Sequence, residues 1–138
     1  LRAYNDHIVN KERQMLKPNM PVEAIILLCP PHMMADIYFT RDESKMASLV
    51  KANLINYEKV TVILDAESKY GPYEDEEAIA EECFDLTNNP SRQDERVQAY
   101  GRRRSVSVGD VVDLGNNLFG GGQWLCAPNG WIKLGEGA

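Results

Sequence analysis

Carboxylates are the densest chemically competent residues in this sequence. Between Asp65 and Asp85 lie Asp65, Glu67, Glu74, Asp75, Glu76, Glu77, Glu81, Glu82 and Asp85, against Lys69 as the lone base. Acids at this density can do one of three things. A pair held away from water can act as general acid and base. A continuous acidic face can dock on a basic partner surface or imitate nucleic-acid phosphates. Acids at the start of a helix can also simply offset its dipole and remain solvated. Nothing in the spacing marks a buried pair, so acid–base catalysis is set aside. The plain reading is a solvated helix face. The functional reading assigns Glu74, Asp75, Glu77, Glu81, Glu82 and Asp85 to a protein partner with a basic surface.

A second constellation is basic and aromatic. Arg102, Arg103 and Arg104 form a run just before an apolar segment, and Trp124 and Trp131 follow in neighbouring apolar segments. Arginine grips phosphate or carboxylate bidentately, and exposed indoles stack on bases, so these residues together would make a nucleic-acid-binding β surface. The plainer alternatives are a solvated loop and a cross-strand or core tryptophan pair.

The remaining candidates fall away one by one. No Lys-Ser or Lys-Thr follows Gly120-Gly121-Gly122, so the run is a hairpin turn rather than a phosphate loop. His7 and His32 lack ligand spacing, and Ser105 and Ser107 have neither a neighbouring histidine nor a GxSxG frame. Cys29, Cys83 and Cys126 form no CxxC pair, which predicts reduced cysteines packed as small hydrophobes in a reducing cytoplasm. No catalytic residue, metal site or cofactor is expected.

The chain-wide totals narrow the setting. A chain of 138 residues with 43% hydrophobic and 26% charged residues matches one ordinary globular domain. A formal net charge of −6 argues against a general binder of nucleic-acid phosphates and suits a protein that meets a basic partner. The longest apolar run, Ala24 to Cys29, is far short of the ~20 residues of a membrane span. Leu1 to Asp6 lacks the apolar core of a signal peptide. The expectation is a soluble cytoplasmic protein with no membrane partner.

These residues must be positioned by recognisable elements. Residues 1–21 end in Lys17-Pro18-Asn19-Met20-Pro21 and read as an N-terminal extension; residues 22–138 read as a single α+β domain. Val22 to Cys29 is a buried strand or helix, which periodicity alone does not decide, and Pro30-Pro31 ends it. Ala35 to Thr40 alternates like a strand, with Ile37 and Phe39 on one face and Tyr38 on the other. Asp42 caps a helix carrying Met46, Leu49, Val50 and Leu54. Val60 to Leu64 reads as a central strand, and Lys69-Tyr70-Gly71-Pro72 as a turn.

A second helix begins near Tyr73 and carries Ile79, Ala80, Cys83 and Leu86 inward, with Glu81, Glu82 and Asp85 outward. Asn88-Asn89-Pro90 stops it. Ser91 to Arg104 reads as a long surface loop. From 105 to 134 the chain reads as wholly β: Val106 to Leu114, Gln123 to Ala127 and Trp131 to Leu134. Its turns fall at Asn116-Asn117, at the glycine run and at Pro128-Asn129-Gly130. The sum is a small antiparallel sheet or partial barrel with two main helices.

The second half of the chain resembles the YodL-like domain. The most specific stretch is Arg104-Ser105-Val106-Ser107-Val108-Gly109-Asp110-Val111-Val112, similar to that family's Arg-Ser-(Leu/Met)-Ser-Val-(Gly/Ser)-Asp-Val-(Ile/Val) signature. Tyr57-Glu58-Lys59-Val60 resembles its opening strand, and Phe84-Asp85-Leu86-Thr87-Asn88-Asn89 the end of its helix. Trp124-Leu125-Cys126 and Gly130-Trp131-Ile132-Lys133-Leu134 resemble its closing hairpin. The signature's physics is structural: Ser105 and Ser107 suit local backbone bonds, and Gly109-Asp110 suits a turn into the Val111-Val112 strand. The resemblance implies an accessory module of phages and conjugative elements, without established enzymatic activity. It leaves the first 55 residues unplaced, and the acidic helix is a departure from the family. The expectation that follows is a non-enzymatic interaction protein in a bacterial host cell, one that meets a host or phage protein with a basic surface and so blocks a host defence complex. A nucleic-acid module is the alternative.

Overall fold

Val22–Leu28 (β1) is apolar on both sides from Ala24 onward because that stretch is covered on both sides, while Glu23 is exposed. Its residues alternate between two cores: Val22, Ala24, Ile26 and Leu28 face one, while Ile25 and Leu27 face the other. A strand buried on both faces loses the polar alternation that identifies a half-exposed one. This is why its sequence fits a helix as well as a strand.

The computed structural model describes residues 21–65, 73, 75–115 and 121–136. The elements are β1, α1 (Pro31–Phe39), α2 (Glu43–Asn53), β2 (Glu58–Leu64), α3 (Glu76–Asn88), α4 (Gln93–Ala99), β3 (Val111–Asp113), β4 (Gly122–Ala127) and β5 (Gly130–Glu136). Short 3-10 turns at Leu54–Asn56 and Pro90–Arg92 precede β2 and α4. The five strands form one open sheet in the order β2-β1-β3-β4-β5, every neighbouring pair antiparallel. The class is α+β as expected and the sheet is open rather than a closed barrel; the described residues hold four α-helices, of which the two longest, α2 and α3, are the two main ones expected.

The helices form a layer on each face. Met33 and Ile37 of α1 and Met46 and Val50 of α2 pack with Leu27, Val111, Leu125 and Leu134. Ile79, Ala80, Cys83 and Leu86 of α3 pack with Ile26, Val62 and Val112 on the other face. Burying each of the Val, Leu, Ile and Met side chains contributes about 1.5–3 kcal/mol, so the two layers fix the strand register between them.

Several expectations are corrected. Residues 35–40 belong to α1, not to a strand. The alternation of Ile37 and Phe39 is incidental: Ile37 is buried with Met33, four residues earlier, and Phe39 is 72% exposed. Pro31, expected only as a terminator, also opens the next helix at a position where its missing N–H is no loss. The strand at Val60 is at the edge of the sheet, not its centre: among the described residues β1 is its one strand neighbour, and of its side chains only Val60, Val62 and Leu64 are buried.

The stretch 91–104 is not a long loop, since it contains α4. Only 111–113 of the predicted 106–114 strand joins the sheet. The Asp42 cap on α2 holds, accepting from the Lys45 amide at 3.1 Å. The hairpin at Pro128-Asn129-Gly130 also forms, with Ala127 paired to Gly130 and positive φ confined to the glycine. Residues 1–20, the turn at 69–72 and the turn at Asn116-Asn117 lie outside the described residues.

Candidate functional site

The acidic helix is built into the molecule more than it is displayed. Asp75 caps α3, accepting from the Ala78 amide at 2.8 Å. Glu76 Oε1 accepts from the Gly122 amide at 2.6 Å and from the Trp124 indole at 2.9 Å. Glu81 accepts from the Trp131 indole at 2.7 Å. A Cβ on Gly122 would lie 2.6 Å from the Gly135 carbonyl oxygen, so this glycine serves close approach rather than turn flexibility. Trp124 and Trp131 sit diagonally, opposite Lys133 and Cys126 respectively, half-buried on the face that α3 covers.

Glu82, expected on the outside, is 1% exposed. It lies on the same helical face as Ile79 and Leu86, and its charge is held by Arg92. That guanidinium donates to Glu82 at 2.6 and 3.0 Å, to Asp85 at 2.9 Å and to Glu95 at 2.8 and 3.3 Å. All five of its N–H groups are thereby used, and the carboxylates, Glu82 foremost, raise its pKa. One positive charge faces three negative ones, a surplus of two negatives. Among the six acids assigned to a partner, Glu77 is exposed and has no hydrogen bond or ion pair with another described residue, and Glu74 lies outside the described residues.

Beside this cluster runs a cleft of about 400 Å³. Thr61, Ile63 and Leu64 of β2 form one wall, and Leu86, Arg92 and Glu95 from the α3–α4 layer form the other. Its position follows from the fold, because β2 is an edge strand and α4 packs next to it. Ile63 is 55% exposed there.

The arginine run divides by role. Arg104 makes a fork with Asp110 at 2.7 and 2.8 Å and donates to the carbonyls of Cys29 and Ser105. Asp110 is fully buried, and its oxygens also take the amides of Cys29 and Ser107, each at 2.7 Å. Four donors saturate this carboxylate, and the same bonds raise the pKa of Arg104. Arg103 reaches Glu58 at 3.4 Å and the Tyr100 carbonyl at 3.1 Å. Arg102 is exposed and makes no such contact with another described residue.

The signature segment is therefore a clamp. Ser105 donates to the Thr87 carbonyl at the end of α3 at 2.6 Å. Ser107 makes the local bond expected of it, to the Ser105 carbonyl at 3.2 Å. Gly109 turns at φ +100, where a Cβ would press on Ile37 at 3.0 Å.

A second recess of about 460 Å³ lies beside this clamp, lined by Cys29, Pro30, Asn56, Glu58, Arg103 and Arg104. Its one nucleophile is poorly prepared, because burial raises the Cys29 thiol pKa and keeps it protonated near neutrality. All three cysteines are free and buried, and burial pushes the Cys126 thiol up to about 12. His7 lies outside the described residues. Among the described residues, no group of three or more His, Cys, Asp or Glu side chains is arranged to hold a metal ion, and no helix is long and apolar enough to cross a membrane.

Sequence reasoning missed Glu76, Arg92, Glu95, Ile63 and the clamp role of Asp110. Arg92 and Glu95 are three apart and could have been paired from spacing. The Glu82–Arg92 pair spans a helix end and leaves no periodic trace. Comparison with family models, with curated proteins and with solved structures gives no match.

Proposed function

We propose that the chain is a non-enzymatic protein-interaction module of a phage or other mobile genetic element, acting by contact with a basic surface of a host or phage protein. A host defence complex is the class of target. The observation that carries this reading is the surplus of carboxylate around Arg92, set beside an open cleft with Glu95 at its rim. A guanidinium with every donor used cannot recruit an acidic partner, and the surplus negative charge attracts a basic one. The resemblance of residues 56–134 to the YodL-like domain supports the setting, and the net charge of −6 supports the sign. The nucleic-acid alternative is left with Arg102 and a partly engaged Arg103, because Arg104 and both indoles are bonded within the fold.

The test is affinity capture from bacterial lysate, with and without nuclease, comparing the natural chain with a Glu77→Gln, Glu95→Gln double variant. The expected result is a stoichiometric, nuclease-resistant protein that the variant retains poorly. Capture that disappears with nuclease moves the reading to the nucleic-acid module and to Arg102.

A further inference from the structure

We infer that the outer edge of β2 is a docking strand for an extended basic segment of a partner protein, which adds to the sheet and fills the cleft along that edge. This rests on the reading of the chain as an interaction module and names how it would grip. Among the described residues no strand lies beyond β2, so the backbone groups pointing away from β1 have no strand partner. The template is straight: β2 pairs with β1 through seven consecutive residues, from Glu58 to Leu64, with no bulge. Val60, Val62 and Leu64 are buried and lock the register, leaving Thr61 and Ile63 outward.

Edge strands are normally guarded by charge, proline or a bulge. Lys59 and the Glu58–Arg103 pair guard the first residues of β2. From Thr61 to Leu64 no described residue supplies such a guard, and the exposed side chains there are Thr61 and Ile63. An incoming strand would lay apolar side chains over Ile63 while its alternate side chains enter the cleft.

Charge decides the occupant. Among the described residues the cleft carries Glu82 and Glu95 against Arg92, and Asp85 draws on the same guanidinium, a surplus of two negatives around that one base. Arg92 has no donor left to offer, whereas the Glu95 carboxylate is 57% exposed. A lysine or arginine on the added strand reaches that carboxylate, and an acidic side chain there is repelled. The occupant is thus a β-forming segment in which apolar and basic residues alternate.

The test is amide hydrogen exchange on the full chain, alone and with millimolar amounts of a short peptide of alternating valine and lysine; a valine–glutamate twin is the control. The lysine peptide should slow exchange in alternate amides of β2 by at least about tenfold, and the glutamate twin should not. Glu95→Gln and Ile63→Lys should each weaken that peptide's binding by about tenfold, equivalent to ~1.4 kcal/mol; both positions are exposed enough to leave the fold intact. Equal slowing by both peptides, protection elsewhere than β2, or no binding overturns the proposal. So does peptide-independent protection of β2 that grows with chain concentration, which would give the edge to a second copy. If a captured host protein is retained undiminished by Ile63→Lys, this docking mode falls while the interaction reading stands.

Discussion

Two arginine–carboxylate sites lie towards opposite ends of the β1–β2 ladder, and they are solved differently. At the Asp110 clamp one guanidinium meets one carboxylate, and that carboxylate has four donors, two of them backbone amides. At the Arg92 cluster one guanidinium meets three carboxylates, of which Glu82 is sealed in and Glu95 is largely in water. The first site is closed in charge and in hydrogen bonds, and a partner can add nothing to it. The second is closed in donors but left with surplus negative charge, beside an open strand edge. A buried ion pair holds a fold together when each atom is matched; an unbalanced one at a rim retains a field that reaches into solvent. Residues 104–110 thus serve architecture, and the proposed recognition falls to residues outside them.

The largest effect should come from Asp110→Ala. It leaves the Arg104 guanidinium and the amides of Cys29 and Ser107 without their acceptor, and breaking a buried pair on one side costs about 3–5 kcal/mol. Urea unfolding followed by circular dichroism should register that loss. A change below ~1 kcal/mol would show that the clamp is not what joins the 104–110 segment to β1.

Arg92→Met comes next, at about 2–3 kcal/mol, because it leaves Glu82 charged and buried while Asp85 and Glu95 can turn to water. Pairing it with Glu82→Leu should recover much of the stability. An Arg92→Met loss larger than that of Asp110→Ala would reverse the ranking of the two sites.

The contrast also explains what could be read from the sequence. The Asp42 cap, the apolar stripe of α3 and the β4–β5 hairpin follow from local chemistry and were legible; the helix expected from near Tyr73 begins instead at Glu76, with Asp75 as its cap. Helix α4 was not, since its buried face amounts to little more than Ala99 and it is held by Arg96 bonding to the Thr87 carbonyl and Ser105. The half-exposure of β2 was hidden because Ile63 is as apolar as Val62, yet the two point to opposite faces, and its edge position depends on a strand order that no single segment encodes. Glu82 looked solvated because its partner is ten residues away across a helix end. Long-range polar pairing of this kind leaves no period in the sequence, whereas caps, stripes and turns do.

Glu76→Ala sharpens the comparison on the α3 side. It removes the acceptor shared by the Gly122 amide and the Trp124 indole, and about 1–3 kcal/mol should be lost by leaving such groups unsatisfied. Tryptophan fluorescence of the folded variant should shift to longer wavelength as that indole gains water. An unchanged spectrum would mean that Trp124 is held by packing alone.

The smallest effect on stability belongs to Glu77→Gln. Glu77 is exposed and has no hydrogen bond or ion pair with another described residue, so the change should stay within about 0.5 kcal/mol. That near-silence makes the variant useful. Replacing Glu81 or Glu82 to probe an acidic surface would also release Trp131 or Arg92, and any lost binding could then be lost structure. With Glu77→Gln the fold is held constant while one solvated charge is removed from the α3 face. A weaker hold on a captured partner, more pronounced at low salt, would extend the recognition surface from the cleft along α3. Unchanged binding would confine it to Glu95 and the β2 edge.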